Sequence, residues 1–143
     1  MMTVEDFAAR HAGPESDGAS ADFFAAAAED RLVLKQCGAC GSWAGPQAAC
    51  CPRCLEVDLG WAPASGEGEI HTWTVVHHAP PPFDEETPYV LAEVELAEGP
   101  HLQVRVLGIE VSALRMGMLV RARFCHPERG ASYPVFVPAA TAR

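Results

Sequence analysis

The stretch CGACGSWAGPQAACCPRC, residues 37–54, contains five of the six cysteines of the chain. Two C-x-x-C pairs, separated by ten residues, place four candidate metal ligands at Cys37, Cys40, Cys51 and Cys54. Two such pairs supply the tetrahedral set of four thiolates that suits Zn²⁺. Four protein ligands leave no open position for water, so we expect one structural zinc ion and no catalytic metal. Iron in a rubredoxin-like electron carrier uses the same ligands, and reduced free thiols are the simplest alternative.

The fifth cysteine of this stretch, Cys50, competes with its neighbour Cys51 for a place at the metal. A pairing of Cys50 with Cys54 has one more intervening residue and a looser geometry, whereas Cys51 is followed by proline, as in the usual zinc knuckle. We therefore assign Cys51 to the metal and leave Cys50 outside the site. Cys125 ends a predicted strand and is expected to be a small buried residue.

Composition and charge limit the function classes. The 143 residues are 49% apolar but contain no run of about 18 apolar residues, so we expect no membrane span. The first 20 residues lack a basic segment followed by an apolar one, which argues against a secretory signal and favours a cytoplasmic protein with reduced thiols. A formal net charge of −9 opposes nucleic-acid binding, because nucleic-acid binders normally carry a basic field that offsets phosphate charge.

Hydrophobic patterns divide the chain into a helical start and a β-rich remainder. Residues 1–20 are predicted to be a flexible segment, since residues 11–20 are rich in Gly, Ser and Pro. Within it, TVEDFAAR at 3–10 fits either one or two helical turns or a disordered tail. An alanine-rich run with Ser20 as N-cap predicts a helix at about 21–30. Beyond the cysteines, β-branched and alternating residues predict five strands at 68–78, 89–96, 101–108, 118–125 and 133–138. Five short strands joined by turns favour a small closed or nearly closed barrel, since closure removes exposed edges.

The order of these elements resembles a known family. A helix with a double aromatic leads into RLVLKQCGACG and CPRC, and SGEGEIHTWTVVHH, PYVLAEVEL, MGMLVRARF and YPVFVP follow. This order is similar to that of bacterial and archaeal acyl-CoA-associated proteins, long known as a domain of unknown function, over residues 20–138. The resemblance implies a mainly β protein with a helix and lead-in strand at 21–36, a rubredoxin-like zinc ribbon at 37–60 and a five-stranded OB-fold at 61–143.

The resemblance also implies an accessory subunit rather than an enzyme. Family members are similar to proteins found alongside thiolase-like enzymes or MaoC-like hydratases, and some assist sterol side-chain degradation by a thiolase-like aldolase. We therefore expect a non-catalytic partner of an aldolase that performs retro-aldol cleavage of a hydroxyacyl-CoA, in a hetero-oligomer and with a contribution to acyl-CoA binding. A subunit of a MaoC-like enoyl-CoA hydratase or of a polyketide-type acyltransferase remains an alternative. The family usually has Pro-Pro-Arg before the second knuckle, where this chain has Gly45, Pro46 and Gln47, so no contact of that arginine is carried over.

Three arginines late in the chain are candidates for ligand or partner contact. Arg105, Arg121 and Arg123 are predicted on outward strand faces. If their strands are neighbours, they form a local basic patch that would hold the phosphates of CoA or face an acidic partner. The alternative is a solvated strand face.

Three phenylalanines are the apolar candidates for the same role. Phe23 and Phe24 on the predicted helix cannot both be buried in a thin subdomain, so one is expected to contact an acyl chain or a partner, with packing inside the chain as the alternative. Phe83 is expected to be exposed in the proline-rich loop 79–88, because loops on rigid scaffolds commonly carry binding.

Two further function classes remain open. A nucleic-acid-binding OB module would stack bases on exposed aromatic rings. Trp43, Trp61 and Trp73 are instead expected to pack where ribbon meets barrel, and the acidic charge opposes this class. A small independent enzyme would need a positioned base. His77 and His78 have no evident orienting group in the sequence, so no catalytic residue is assigned.

Overall fold

The computed structural model describes residues 2–139 of the chain. Within this range there are two α-helices, α1 (Val4–Arg10) and α2 (Ala21–Ala28). The strands in the same range are β1 (Val33–Cys37), β2 (Trp43–Ala44), β3 (Leu59–Pro63), β4 (Glu67–Val76), β5 (Tyr89–Leu96), β6 (His101–Val106), β7 (Leu119–Cys125) and β8 (Tyr133–Pro138). The predicted helix at 21–30 and all five predicted barrel strands are confirmed to within about two residues at each end. None of the helices in residues 2–139 is long and apolar enough to cross a membrane.

Strands β4 to β8 form a closed barrel in the order β4-β5-β6-β8-β7, so the predicted mainly β fold with a barrel is confirmed. Neighbouring strands are antiparallel except β6 and β8, which run parallel and pair at Val106 and Phe136. The alternation predicted for β5 turns one row of apolar side chains inward, namely Val90, Ala92, Val94 and Leu96. These side chains meet Ile70 and Phe136 in the main hydrophobic core.

The cysteine segment belongs to a separate three-stranded antiparallel sheet in which β1 lies between β2 and β3. Leu34 of β1 is fully buried and joins Leu32 in the barrel core, so the ribbon and the barrel share one hydrophobic cluster. Because β3 continues to Pro63, Trp61 lies in the ribbon sheet. The sheet therefore extends past residue 60, where the sequence predicted the ribbon to end.

The predicted flexible segment at 1–20 needs correction, because α1 packs against the barrel. This helix buries three apolar side chains at a spacing that places them on one face: Val4, Phe7 and Ala8. They form a second core cluster with Leu107, Cys125 and Val135. Of the two alternatives left open for residues 3–10, the helical one is correct, but so short a pattern does not show that the helix packs against the barrel. The burial of Cys125 predicted from the sequence is confirmed.

Ser20 precedes α2 as predicted, but its hydroxyl does not cap the helix. The hydroxyl donates a hydrogen bond of 2.7 Å to Asp17 Oδ1 instead. Only the backbone of Ser20 takes part in the helix, where its carbonyl accepts from the amide of Phe24 at 3.2 Å. The expected side-chain capping contribution is therefore absent from α2.

Candidate metal centre and contact surfaces

The four cysteines of the two C-x-x-C pairs converge at the end of the ribbon. All four sulfurs lie within 4.8 Å of one another. The Sγ atoms of Cys37 and Cys54 are 3.6 Å apart, and those of Cys40 and Cys51 are also 3.6 Å apart. A tetrahedral Zn²⁺ with Zn–S bonds of about 2.3 Å requires sulfurs about 3.8 Å apart, so the arrangement fits the ion. The chain thus has a site for one structural zinc, as the sequence predicts.

Backbone amides hold the first cysteine of each pair. The amides of Ala39 and Cys40 lie 3.3 and 3.4 Å from the Sγ of Cys37, and both donate to it. The amides of Arg53 and Cys54 donate to Cys51 Sγ in the same way, both at 3.4 Å. Such N–H donors stabilise thiolate charge and fix the direction of the ligand.

Two local features show why this backbone can turn so tightly. Gly38 cannot be replaced without a shift, because a Cβ there would lie 2.4 Å from Asp58 Oδ2. Gly41 has a φ of +79°, in the left-handed region that glycine adopts without steric cost. Cys50 is half-buried and stands outside the four-sulfur cluster, in agreement with its predicted exclusion from the site.

The electrostatics of the cluster favour a cation. Hydrogen bonds from Ser42 lower the pKa of the Cys40 thiol to about 6. The backbone amide of Glu56 acts to lower the pKa of Cys54, but desolvation and the neighbouring sulfurs outweigh it and raise that pKa to about 12. Four adjacent thiolates would repel one another, and a bound cation would compensate their charge. With four protein ligands the ion has no position for water, so its role is structural.

The basic patch of three arginines was expected only if their strands were neighbours, and it does not form. Strand β8 lies between β6, which carries Arg105, and β7, which carries Arg121 and Arg123. Arg123 pairs with Glu5 of α1 at 2.9 Å on the surface, and Arg121 is exposed. Arg105 is only 10% exposed at its side chain and contacts protein groups.

Arg105 belongs to a buried polar network that the sequence did not reveal. Its Nη2 donates to Glu86 Oε1 at 2.9 Å, and His11 Nε2 is hydrogen-bonded to the other oxygen of Glu86. The guanidinium lies between two rings, with Cζ 3.8 Å from the centroid of Tyr89 and 4.7 Å from that of Phe7. His11 and Glu86 are 75 positions apart in the chain, so no local pattern could have indicated the network.

The charge state of Glu86 follows from these contacts. Burial alone would raise the pKa of its carboxyl, but the hydrogen bonds from His11 and Arg105 and their positive charge outweigh it and hold that pKa below its usual range. Glu86 is therefore ionised at neutral pH although only 2% of its side chain is exposed.

The expectation that Phe83 is exposed also needs correction, because its side chain is partly buried. Its ring stacks on that of His11, with centroids 4.5 Å apart and an angle of 25° between the planes. Phe83 packs against the second core cluster, next to α1. The loop 79–88 is thus attached to the barrel through α1 instead of presenting Phe83 freely.

Phe23 and Phe24 remain together at a groove between α2, the ribbon and the barrel. The groove has a volume of about 650 Å³, and its far wall is formed by β6 and β8. Phe23 contacts Phe24 edge-on at 5.4 Å between centroids and lies 6.3 Å from the Trp61 ring. Phe23 also packs against the main core, whereas Phe24 is half-buried beside it and lines the groove, so Phe24 is the better placed of the two to contact another molecule.

The other aromatic and histidine candidates are dispersed. Trp43 packs against the main core, and Trp61 is half-buried beneath the Lys35 ammonium at 5.1 Å. Trp73, on β4, is exposed. His77 and His78 are also exposed. The tryptophans therefore do not form a single stacking platform of the kind that single-stranded nucleic acid requires.

Family models match both parts of this architecture. The rubredoxin-like zinc ribbon domain of ChsH2 matches residues 24–59, and the C-terminal OB-fold domain of ChsH2 matches residues 61–125. The four-cysteine cluster falls inside the first match, and most of the barrel falls inside the second.

Curated relatives cover different lengths. A probable enoyl-CoA hydratase alpha subunit from Thermomonospora curvata is 38% identical over 120 residues, which are 84% of this chain and 37% of that protein. The chain thus spans little more than a third of that relative. A DUF35 domain-containing scaffold protein from Methanocaldococcus jannaschii is 33% identical over 94 residues, 65% of this chain and 67% of that protein.

A solved structure shows the same fold along nearly its whole chain. The structure is described as an Ltp2-ChsH2(DUF35) aldolase, and the match has a TM-score of 0.78 at 36% identity. It covers 89% of this chain and 99% of the solved chain. The chain therefore belongs to the DUF35 family, whose members join a ChsH2-type zinc ribbon to a ChsH2-type OB-fold.

Proposed function

We propose that the chain is a non-catalytic accessory subunit that binds and supports a thiolase-like acyl-CoA enzyme. In its most specific form, the partner is a steroid side-chain aldolase that cleaves a hydroxyacyl-CoA by a retro-aldol reaction. The observation that carries the proposal is the likeness to a chain of the Ltp2-ChsH2(DUF35) aldolase, at 36% identity over 99% of that chain. The scaffold name of the archaeal relative supports a role in holding other proteins together. A closed zinc set supports a structural rather than a catalytic part in the complex.

The proposal assigns contact with acyl-CoA or the partner to the groove beside α2. Phe24 would make the direct contact, because its neighbour Phe23 is partly engaged with the core. Arg121 and Arg123 remain candidates for an acidic partner surface, since both lie on β7 with their charge on the outside of the barrel. Phe83 and Arg105 would contribute indirectly, because they hold α1 and the loop 79–88 against the barrel. We place the complex in the cytoplasm, where the thiols stay reduced for zinc.

A second candidate function is a subunit of a MaoC-like enoyl-CoA hydratase. It is favoured by the relative from Thermomonospora curvata, whose name is that of a hydratase subunit and which matches 84% of this chain. Only 37% of that protein is matched, so the hydratase reaction itself would lie outside the part that this chain resembles. A nucleic-acid module is disfavoured by the net charge of −9 and by the dispersed tryptophans.

Co-expression with candidate partners tests the proposal. The chain is produced with a thiolase-like aldolase and, separately, with a MaoC-like hydratase, and each mixture is analysed by size-exclusion chromatography with light scattering. We expect a stable complex of defined mass with the thiolase-like protein. A complex with the hydratase alone would favour the second candidate. Failure to bind either protein, together with no binding of acyl-CoA, would overturn both, and salt-dependent binding of single-stranded DNA would favour the nucleic-acid module.

A further inference from the structure

Two histidines and a glutamate lie together on the outer face of the barrel, on strands that take no part in the cysteine site. His71, Glu95 and His101 each offer one donor atom, and these atoms lie within 4.8 Å of one another. Glu95 and His101 are direct cross-strand partners on β5 and β6, and the rings of His71 and His101 have centroids 4.9 Å apart. We propose that this trio is a second metal site, which binds Zn²⁺ or a similar divalent transition-metal ion. The inference does not depend on the proposed function.

His71 lies on this face at a β-bulge in β4. Ile70 pairs with Val94 and is fully buried, whereas Thr72 pairs with Glu93, so the register shifts at His71. Because the buried Ile70 faces the barrel interior, alternation along the strand turns His71 to the outer face, and the register shift lies at this residue. Bulges of this kind re-aim a side chain and are common beside functional sites.

A carboxylate outside the trio orients one of its rings. His101 Nδ1 lies 3.0 Å from Glu93 Oε2, a hydrogen-bond distance. When Nδ1–H donates to this carboxylate, Nε2 keeps its lone pair for a metal ion. Metal-ligating histidines almost always have such a second partner, which fixes the tautomer and raises the basicity of the ligand.

The charges on this face also favour a cation. Glu69 and Glu95 are direct cross-strand partners, and like charges in that position destabilise a sheet. Among residues 2–139, neither of these two glutamates forms a salt bridge with a lysine or arginine. A divalent ion bound by Glu95 would relieve this repulsion.

The ligand types identify the class of metal. Two imidazoles and one carboxylate suit Zn²⁺, Ni²⁺, Co²⁺ or Cu²⁺ better than Mg²⁺ or Ca²⁺. Bonds of about 2.0–2.2 Å place donor atoms about 3.0–3.5 Å apart, so the side chains must close slightly on binding, which their exposure permits. Three protein ligands leave at least one position for water, and the site is therefore expected to bind zinc more weakly than the four thiolates do.

Zinc stoichiometry tests the second site. Tag-free protein is dialysed to equilibrium against buffered free Zn²⁺, and bound zinc is measured by elemental analysis. We expect two zinc ions per chain for the unmodified protein and one for His71→Ala and for His101→Ala. His78→Ala is the matched control, because it removes an exposed histidine outside the trio, and it should keep two. Glu93→Gln should weaken binding at the second site by about 10- to 100-fold.

Cobalt spectroscopy separates the two sites in the same variants. Co²⁺ bound by four thiolates gives intense charge-transfer bands in the near ultraviolet, which all these variants should keep. Co²⁺ at the nitrogen and oxygen site adds only weak visible bands, which His71→Ala and His101→Ala should lose. The proposal is overturned if the unmodified protein binds a single zinc ion, or if the second ion persists in both histidine variants as it does in the control.

Discussion

Arg105 Nη2 donates a hydrogen bond of 2.9 Å to Glu86 Oε1 where β6 meets the loop 79–88, and both side chains are largely removed from solvent. The second oxygen of Glu86 is bonded to His11, just beyond α1. The Glu86 carboxylate thus connects the proline-rich loop to the barrel and to the segment just beyond the N-terminal helix. The position of α1 and of the loop therefore depends on a charge that is buried and compensated.

Removing the arginine should destabilise the fold strongly. Arg105→Ala leaves the Glu86 carboxylate with His11 as its remaining hydrogen-bond partner and opens the space between Phe7 and Tyr89. Breaking a buried pair from one side typically costs about 3–5 kcal/mol, and we expect that loss in urea unfolding. Arg121→Ala is the control, because Arg121 is an exposed residue of β7. It should change the free energy of unfolding by no more than about 0.5 kcal/mol. Equal losses in the two variants would contradict the role given to the network.

The network also predicts a pH dependence with a definite sign. The pKa of Glu86 in the folded protein lies below its usual range, so the charged form stabilises the fold above the unfolded-state pKa of about 4.3. That contribution is lost as the pH falls through the lower folded-state pKa. Glu86→Gln should therefore be less stable than the unmodified protein near neutral pH, and the difference should narrow on acidification. Because both proteins keep the zinc site, its own acid sensitivity cancels in the difference. A stability difference between the two proteins that stays constant or widens as the pH falls would contradict this prediction.

The two adjacent cysteines should behave differently. Cys51→Ser removes a sulfur that is fully buried and accepts two backbone amides, so the protein should lose the structural zinc and the ribbon should be destabilised. Cys50→Ser leaves the four-sulfur cluster intact and should retain that ion. Elemental analysis after removal of weakly bound metal measures the outcome. Loss of this zinc from Cys50→Ser would show that the ligand assignment is wrong.

Substitutions of the two phenylalanines of α2 should differ in their effects on stability and on binding. Phe23→Ala removes a ring packed against the core and should cost about 1–3 kcal/mol of unfolding free energy, less than for a fully buried ring. Phe24→Ala should cost less stability but weaken the complex with the partner or with acyl-CoA. Leu55→Ala, at a highly exposed position of the ribbon, serves as the binding control. Calorimetric titration measures the affinities, and unchanged binding by Phe24→Ala would remove the groove from the contact surface.

Local patterns predicted the features that depend on neighbouring residues. The alternation of β5 determines which side chains enter the core, and the spacing of the cysteine pairs identifies the zinc ligands. Strand order is not local: β8 lies between β6 and β7, and this placement separates Arg105 from the two arginines of β7. The expected patch therefore failed for a reason that the pattern within each strand does not contain.

The missed features share long separations along the chain. The partial burial of Phe83 requires the packing of α1 against the barrel, which the seven residues of this helix do not reveal. The trio of His71, Glu95 and His101 requires two strand pairings, neither of which a single strand pattern specifies. Such sites become recognisable only when the register of the barrel is known.

We propose that this chain supports the chemistry of a thiolase-like partner and performs none itself. The most direct test of this proposal is the rate of retro-aldol cleavage of a steroid hydroxyacyl-CoA by the purified aldolase, by this chain alone and by the reconstituted pair. We expect no turnover by this chain alone, and a higher rate for the reconstituted complex than for the aldolase alone. Turnover by the isolated chain, or an aldolase whose rate and stability are unchanged by adding it, would contradict the account.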